Sequence, residues 1–482
     1  MNYQINYYDK FIKYKKFSPY IKSIKFLYPN NMLLQYKRNL KHINFKVLFY
    51  FIKAIKRLLS FFYEMVIYCF QFKEYNLKNK KDILVVSHHL KSNKLSKNDF
   101  YFGDLISNLQ KRKIKCHKLL INQSEIQSNF LNKTKNTLNV DVINKYCNFI
   151  TEFKILFIQV KEVFLVLFFY KNLNISKNFL HSLIFSIFEY ETVFALRTYF
   201  FMREYIHRYS PKILIFTYEG YPWERMCIKA AKDSSKKIVC IGYQHSIIYD
   251  EANPLNRSLG ADFDPDIIWA SGNHSFKVLN KSKNLRKVKI YKTGNFTKSS
   301  QLKINFKIKR SSKQKTCLVL PVGIYSECVE LFNFSYECAF KNNNIKYIWR
   351  LHPVIKKEIL NKMTKIDFDN LPKNIYFSEE TLDNDAKNSD CVLYRSSTGA
   401  IQVLQYGCIP IYLDLGKKIN FDAIQNFKPK KIINTYKNFY KVVDSIDEKE
   451  KKKEKNNAIF YKKNIYGKID YKKILNSLQN LI

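Results

Sequence analysis

The sequence predicts an α/β protein of two Rossmann-like, doubly wound domains, each built on a parallel sheet. The first observation is a set of short, continuous apolar runs, a pattern typical of strands buried on both faces of a sheet. The second is that amphipathic helical segments separate these runs, as strand–helix–strand units require. The third is that the same alternation starts again after a Lys- and Ser-rich stretch in mid-chain. A length of 482 residues also exceeds what one ordinary core holds.

The chain is strongly basic, with a formal net charge of +43. Three interpretations compete: binding to nucleic acid, attraction to an anionic membrane face, and a general drift of composition toward Lys, Asn and Ile. The lysines are dispersed among many Asn, Ile, Tyr and Phe residues. This dispersal favours compositional drift, with membrane attraction second. We expect no nucleic acid as a partner.

No window of the sequence offers the roughly 18 uncharged apolar residues of a membrane-spanning helix. Residues 47–72 and 155–170 come nearest, each with a long apolar face broken by a few charges. For 47–72, an interfacial helix on a membrane and packing on a domain both remain open. For 155–170, packing in the core is favoured.

The N-terminus lacks the continuous apolar stretch of a secretory signal. Ten cysteines are scattered without a CxxC pair or a His/Cys cluster at zinc spacing, which favours a reduced compartment and indicates no metal site. We therefore expect a cytoplasmic protein that lies peripherally at the inner face of the cytoplasmic membrane.

Composition and periodicity divide the chain into five parts. They are a basic helical extension with possible membrane contact, a first Rossmann-like domain, a linker, a second Rossmann-like domain, and a basic tail with a helix. Their predicted bounds are 1–78, 79–296, 297–316, 317–440 and 441–482.

The elements of the first domain follow from its apolar runs. Its strands are predicted at 82–87, 116–121, 213–216, 238–241, 266–270 and 288–291. Its helices are predicted near 104–112, through 139–209, at 223–232 and after Gly272. The second domain repeats the pattern, with strands at 317–321, 347–351, 375–377, 390–394 and 409–413 and helices at 326–341 and 401–406. In the tail, a solvated charge run at 447–455 precedes a helix at 471–481.

Polar residues follow several strands of the first domain, where ligands bind in open parallel sheets. Glu219 follows one strand and is half-enclosed by aromatic residues, which makes its carboxylate a candidate general base. Tyr218, Gly220, His245 and His88 are candidates to contact a sugar at the same edge. The alternative for an acid here is a simple interaction with the helix dipole, which Glu224 suits better.

The second domain carries a candidate anion site between a buried strand and a helix. It consists of three hydroxyl residues between an arginine and a glycine: Arg395, Ser396, Ser397, Thr398 and Gly399. Hydroxyls and free N–H groups at a helix N-terminus favour phosphate, although one such hydroxyl suffices for plain capping. His352 and Pro353 end an earlier strand, and the histidine is positioned to donate to a phosphate or to a leaving group.

These motifs resemble those of bacterial glycosyltransferases of the GT-B fold. Glu219-Gly220 in the first domain, with His352-Pro353 and Ser396-Ser397 in the second, is most similar to the polysialyltransferase-like and Kdo-transferase-like groups, which use CMP-activated sugars. The resemblance covers about residues 80–435. It implies that Glu219 is the base and that His352, Pro353, Ser396 and Ser397 contact the nucleotide phosphate. The chain departs from the pattern at Tyr218, where those enzymes carry a second acid.

The resemblance implies an inverting, metal-independent glycosyltransferase with no further cofactor. It would move a sugar from a nucleotide, with CMP favoured, to a surface polysaccharide or lipopolysaccharide acceptor across a cleft between the two domains. Expected partners are the nucleotide sugar, a glycan or glycolipid acceptor, and an anionic membrane. Three alternatives remain: a nucleotide-sugar 2-epimerase of the same fold, a polyol-phosphate transferase with a CDP-activated donor, and a basic nucleic-acid-binding protein.

Overall fold

The structure is a computed structural model. It describes residues 59, 62, 80–89, 99–122, 140–143, 147–169, 180, 183–184, 186–248, 255, 258–296, 314–364, 366–416, 422–424 and 431–482. Apart from residues 59 and 62, the predicted extension at 1–78 lies outside the described residues, and so does most of the predicted linker at 297–316.

The first half of the chain forms a seven-stranded parallel sheet. Its strands are β1 (Ile83–His89), β2 (Cys116–Asn122), β3 (Val140–Ile143), β4 (Ile213–Thr217), β5 (Val239–Gln244), β6 (Ile267–Ala270) and β7 (Lys289–Lys292). The spatial order is β3-β2-β1-β4-β5-β6-β7. The order reverses between β1 and β4, and this reversal is the switch point at which open α/β sheets bind ligands.

Helices of the first unit connect these strands. They are α1 (Leu105–Lys111), α2 (Phe149–Phe169), α3 (Tyr190–Tyr209), α4 (Pro222–Ser234) and α5 (Asn273–Asn280). Helix α4 begins with a proline at its first position, where the missing N–H costs no helical hydrogen bond.

The second half forms a six-stranded parallel sheet. Its strands are β8 (Lys315–Leu320), β9 (Ile345–Trp349), β10 (Ile375–Phe377), β11 (Cys391–Tyr394), β12 (Ile409–Leu413) and β13 (Lys431–Ile433), in the spatial order β10-β9-β8-β11-β12-β13. The helices are α6 (Tyr325–Lys341), α7 (Lys357–Thr364), α8 (Leu382–Lys387), α9 (Gly399–Val403) and α10 (Tyr436–Asp444). Here the order reverses between β8 and β11.

Each sheet separates two apolar cores because successive side chains of a strand point to opposite faces. In β1, Leu84 and Val86 belong to one cluster, whereas Ile83 and Val85 belong to another. All four are fully buried. The continuous apolar runs of the sequence are therefore strands covered on both faces, and the predicted fold class of two doubly wound units is confirmed.

The last two helices join the units. Helix α11 (Glu448–Asn464) packs on the second unit, and α12 (Tyr471–Gln479) packs on the first. Between them, the Asn295 N–H donates to the Gly467 carbonyl at 2.9 Å, and the Gly467 N–H donates to the Ser271 carbonyl at 2.9 Å. The chain thus crosses back from the second unit to the first.

Two sequence predictions for single elements were wrong. Strand β3 lies in the stretch predicted to be entirely helical. Its run Val-Asp-Val-Ile is interrupted by Asp141, whose carboxylate pairs with His117 at 2.8 Å and accepts from Tyr209. The charge run at 447–455 is not simply solvated, because it forms the first turns of α11, where Lys451 and Glu454 are buried.

In α2, the predicted core packing holds for one face only, since Phe157 and Phe164 on the other face are exposed.

Candidate active site

The carboxyl edge of the first sheet carries Glu219 at the switch point. Strand β4 ends at Thr217, and the chain turns through Tyr218, Glu219 and Gly220 into α4. Gly220 has a φ of 84°, a left-handed conformation that glycine adopts without a steric penalty. The Glu219 side chain is 20% exposed, so its carboxylate reaches solvent.

A buried acid fixes the backbone of this turn. The carboxylate of Glu224 accepts from the N–H of Glu219 at 2.8 Å and from the N–H of Tyr221 at 2.7 Å. Burial raises the pKa of Glu224 well above its usual range, and the neighbouring Glu219 raises it further. Of the two acids, Glu224 therefore caps the helix and Glu219 remains available to the edge of the sheet.

Glu219 lies in a group of aromatic and imidazole side chains. His245 Nε2 is 3.4 Å from Glu219 Oε1. The Tyr221 hydroxyl makes a hydrogen bond to Glu219. The negative charge of Glu219 is the main reason that the pKa of this phenol is raised well above its usual range. Because a phenolate beside a carboxylate is disfavoured, Tyr221 stays protonated and donates. Sequence reasoning placed Glu219 and His245 at one edge, and the structure brings them together.

Tyr101 completes this group from the loop after β1. Its ring centroid is 4.7 Å from that of His245. The loop is held by Asp99, whose carboxylate accepts from the N–H of Tyr101 at 2.9 Å and from the hydroxyl of Ser87 at 2.7 Å. Burial raises the pKa of Tyr101 to about 12, with Glu219 and Asp99 adding to the effect. Sequence reasoning missed Tyr101, because its approach depends on this loop closing over the sheet.

His88 and Tyr218 lie deeper than the sequence suggested. Burial lowers the pKa of His88 to about 3, and the nearby His245 lowers it further, so the imidazole is neutral at neutral pH. Its Nε2 is 3.2 Å from Thr217 Oγ1, and its ring packs against Trp223. Tyr218 is fully buried, with its ring over Gly242, where a Cβ atom would be 2.7 Å away. The ring of Tyr218 therefore lies on the buried side of the turn that carries Glu219.

In the second unit, the predicted phosphate site is the turn at residues 395–399, called the Ser396 turn below. A carboxylate of the chain itself occupies this turn. Glu327 of α6 accepts from the N–H of Ser396 at 3.2 Å, from the hydroxyl of Ser396, and from the N–H of Val322 at 3.3 Å. Burial raises the pKa of Glu327. The donors that were predicted to bind an anion thus already hold one from the chain itself. Nothing in the sequence around Glu327 indicated this contact.

The other residues of the turn take up different environments. Arg395 is buried, and its guanidinium donates to the carbonyl of Leu413 at 3.1 Å and lies 3.8 Å from Glu330. Ser397 is buried, whereas Thr398 and Gly399 are half-buried at the start of α9. Arg395 therefore ties the turn to β12 and α6, and Ser396, Thr398 and Gly399 are its partly exposed residues.

His352 follows the end of β9 and lies against the loop after β8. Burial lowers its pKa, so the ring is neutral. The N–H of Val354 donates to its Nδ1 at 3.4 Å, which places the ring proton on Nε2 as a donor. A Cβ atom on Gly323, in the loop after β8, would be 2.8 Å from His352 Nδ1. Pro353 is exposed.

The two carboxyl edges approach each other through Ile247. This residue, two positions after His245, is buried in one apolar cluster with Leu320 and Tyr394, which end β8 and β11. The loop after β5, which carries His245, therefore packs onto the carboxyl ends of β8 and β11. Within the described ranges, no group of three or more His, Cys, Asp or Glu side chains has the arrangement of a metal site. In the same ranges, no helix has the length and apolarity that crossing a membrane requires.

Comparisons with known proteins give resemblance in structure alone. No family model matches the sequence, and no curated protein matches it. Solved structures to which the chain is similar include the UDP-GlcNAc 2-epimerase of Methanocaldococcus jannaschii in complex with UDP-GlcNAc and UDP, at 15% identity and a TM-score of 0.49 over 83% of this chain and 99% of that one. Another is a trehalose 6-phosphate synthase from Burkholderia multivorans, at 9% identity and a TM-score of 0.48 over 84% and 97%. A third is the glycotransferase of kitacinnamycin, at 9% identity and a TM-score of 0.47 over 84% and 99%.

Proposed function

We propose that this chain is an enzyme that acts on a nucleotide-activated sugar, and specifically an inverting, metal-independent glycosyltransferase. The donor is a nucleotide sugar, with CMP favoured as the nucleotide, and the acceptor is a surface polysaccharide or lipopolysaccharide. The observation that carries the proposal is the partly exposed Glu219 side chain at a switch point, 3.4 Å from His245. The loop that carries His245 also reaches the second switch point through Ile247.

In this proposal the reaction is a single displacement. Glu219 takes the proton of an acceptor hydroxyl, and the acceptor oxygen forms a bond to the anomeric carbon of the donor sugar. The bond from that carbon to the phosphate oxygen breaks, and the electron pair leaves with the nucleotide. Attack from the face opposite the leaving group inverts the anomeric centre. Tyr221 and His245 keep the carboxylate oriented toward the acceptor.

The second unit binds the departing nucleotide phosphate in this proposal. His352 Nε2 and the hydroxyls of Ser396, Ser397 and Thr398 donate to the phosphate and stabilise its charge as it develops. Phosphate binding requires that Glu327 first leave the donors of Ser396, because one set of N–H and O–H groups does not serve two anions.

Replacing the base tests the proposal. Glu219→Gln keeps the size of the side chain and removes its basicity, so we expect transfer to fall at least 10²-fold while nucleotide binding is retained. Glu379→Gln, an exposed acid in the second unit, is the matched control and should transfer like the unchanged protein. Transfer by Glu219→Gln at near the original rate would exclude Glu219 as the base.

A panel of nucleotides scored by thermal shift separates the alternatives. Stabilisation by CMP supports the proposed donor, whereas stabilisation by CDP alone favours a polyol-phosphate transferase. Stabilisation by UDP, with turnover of a UDP-sugar when no acceptor is present, favours a 2-epimerase. Stabilisation by oligonucleotides alone would replace the proposal with a nucleic-acid-binding function.

A further inference from the structure

Helix α2 presents a stripe of large apolar side chains to solvent. Ile150, Phe157 and Phe164 are 66%, 70% and 67% exposed. Phe153, Val160 and Leu167 lie between them and are 43%, 39% and 44% exposed. The spacing of three and four residues aligns all six on one face of the helix. A contiguous apolar surface of this kind marks an interaction site, unlike single exposed residues.

The opposite face of α2 fixes the direction of the stripe. Glu152 is buried and its carboxylate receives two hydrogen bonds from the guanidinium of Arg197, at 2.8 and 3.1 Å. Two turns further along, the buried Gln159 donates to the carbonyl of Ile187 at 2.7 Å. Ile155 and Val166 are fully buried on the same side. Because these contacts anchor the inner face along most of the helix, α2 does not rotate to hide its outer face.

The charges on the outer face have one sign. Lys154 and Lys161 are exposed beside the stripe. The acids of α2 are Glu152 and Glu162, and both are buried on the inner side. The face that solvent meets is therefore apolar and cationic. Aromatic residues combined with lysines are typical of helices that lie in the interface of an anionic membrane.

The basic N-terminal part of the chain meets this face. The ring centroid of Phe62 is 6.4 Å from that of Phe153. Residues 1–78 contain fifteen Lys and Arg but only three Asp and Glu. The residue that contacts Phe153 therefore belongs to a strongly cationic stretch of the sequence.

The stripe also begins near the candidate active site. Helix α2 starts six residues after the end of β3, whose carboxyl end lies at the same sheet edge as Glu219. In the sheet, β3 is three positions from β4, the strand that precedes Glu219, a distance of roughly 15 Å. A surface docked along α2 therefore lies beside the edge at which an acceptor would enter.

We propose that the outer face of α2 docks on an anionic lipid bilayer. A bilayer offers both an apolar layer for the stripe and phosphate groups for the lysines. A second copy of the chain offers the same cationic surface and a net charge of +43, which disfavours self-association through this face. The inference rests on the proposed function for its purpose, because a bilayer would present a glycolipid acceptor to Glu219.

Flotation of the full-length protein with lipid vesicles tests the docking. One set of vesicles is phosphatidylcholine alone, and the other contains phosphatidylcholine and phosphatidylglycerol at roughly three to one, which supplies the anionic surface. The test variant is Phe157→Ser with Phe164→Ser, and the matched control is Phe340→Ser with Ile432→Ser, two exposed apolar residues of the second unit. Circular dichroism checks that each variant is folded.

We expect the unchanged protein to float with the anionic vesicles and far less with the neutral ones. The test variant should bind at least tenfold more weakly, and the control should match the unchanged protein. A third variant, Lys154→Glu with Lys161→Glu, retains the stripe and should also lose binding to the anionic vesicles.

Three results would overturn the docking. The first is an unchanged protein that floats with neither type of vesicle, and the second is a test variant that floats as well as the control. The third is light scattering that shows a dimer of the unchanged protein converted to a monomer by the test variant, since a second copy then covers the stripe. The nucleotide thermal-shift panel is read on the same proteins without lipid. If no nucleotide stabilises the protein, the proposed function is excluded, whereas the flotation result still stands.

Discussion

Glu224 and Glu219 divide two tasks that one acid does not perform at once. Glu224 is buried and accepts the N–H groups of Glu219 and Tyr221, so it holds the turn in shape. Glu219 keeps a partly exposed side chain beside His245. A base that was also a cap would have its lone pairs engaged by backbone donors and would be a poorer proton acceptor.

The position of Glu327 in the Ser396 turn predicts that nucleotide binding becomes stronger as the pH falls. Its pKa is raised by burial, so it becomes protonated and neutral at a higher pH than an ordinary glutamate. The hydrogen bonds from Ser396 and Val322 act against this shift of the pKa, as does the charge of Arg395 to a smaller extent. Tyr412 lies close enough for its own pKa to respond to Glu327. As the pH falls toward the raised pKa, the competing charge disappears from the Ser396 turn. Nucleotide binding by the unchanged protein should therefore improve.

Replacing Glu327 with glutamine isolates this effect. We expect Glu327→Gln to bind CMP at least fivefold more tightly than the unchanged protein at pH 8, and the ratio of the two affinities should shrink toward pH 5. The ratio cancels the titration of the nucleotide itself. Calorimetric titration measures it, and Glu337→Gln, an exposed acid on the same helix, is the control. Weaker binding by Glu327→Gln at pH 8 would mean that Glu327 supports the turn instead of competing for it.

Among single residues, the sequence identified those whose positions are set by the ends of strands. Glu219 and His245 come after adjacent parallel strands, so their proximity could be predicted from topology alone. Tyr101 and Glu327 could not be predicted, because a loop and a helix bring them in from outside the sheet. Tyr218 was predicted to face a ligand, but its position on the buried side of the turn depends on the space above Gly242.

Helix α11 shows how a run of charges becomes part of a core. Lys451 and Glu454 lie on its inner side, and the ammonium of Lys451 pairs with the carboxylate of Asp390 at the start of β11. Asp390 also accepts from the N–H of Thr316 at 2.8 Å, next to the start of β8. One lysine of a highly charged segment thus ties α11 to two central strands.

Removing that lysine should destabilise the second unit. Lys451→Met leaves Asp390 charged and buried without its partner, which costs roughly 3–5 kcal/mol when a buried pair is broken. Lys452→Met, at the next and exposed position, should change the free energy of unfolding by less than about 0.5 kcal/mol. Urea unfolding followed by circular dichroism measures both. Equal stabilities of the two variants would show that the pair contributes nothing.

Elements were predictable where their pattern was uniform. The strand at 375–377 and the strand at 409–413 have the predicted bounds, because both are flanked by turn residues. Strand β3 was missed because Asp141 breaks its apolar run, and the charge that breaks the run is the group that pairs with His117. The pattern of α2 could not show which face is covered, since the covered face carries the polar Glu152 and Gln159 whereas the exposed face is apolar.

The two units are held together by backbone contacts between glycines. Gly272 and Gly294 of the first unit meet the chain at 464–468 as it returns from the second. A Cβ atom on Gly294 would be 2.5 Å from the Lys468 carbonyl oxygen. No prediction from the sequence included this crossing, because it depends on how two separately folded sheets are oriented.

Gly294→Ala tests the crossing, with Gly260→Ala as the control. Both glycines have a positive φ, 91° and 95°, so alanine costs each about 1 kcal/mol in backbone strain. Only Gly294 meets the returning chain, whereas a Cβ atom on Gly260 has open space around it. We expect Gly294→Ala to lose roughly 1–3 kcal/mol more stability than the control. If urea unfolding shows the same loss of stability for both variants, the contact at Gly294 does not require a glycine on steric grounds.

The position of α12 also sets the order in which the molecule is completed during synthesis. Ile474, Leu475 and Leu478 are buried in the same cluster as Ile83 and Val85 of β1. A ribosome makes these residues only after the whole second sheet, so the nascent first unit leaves an apolar surface uncovered until α12 is made. Pairing across such a separation is slow, and exposed apolar surface invites aggregation. The protein should therefore depend on chaperones until α12 arrives.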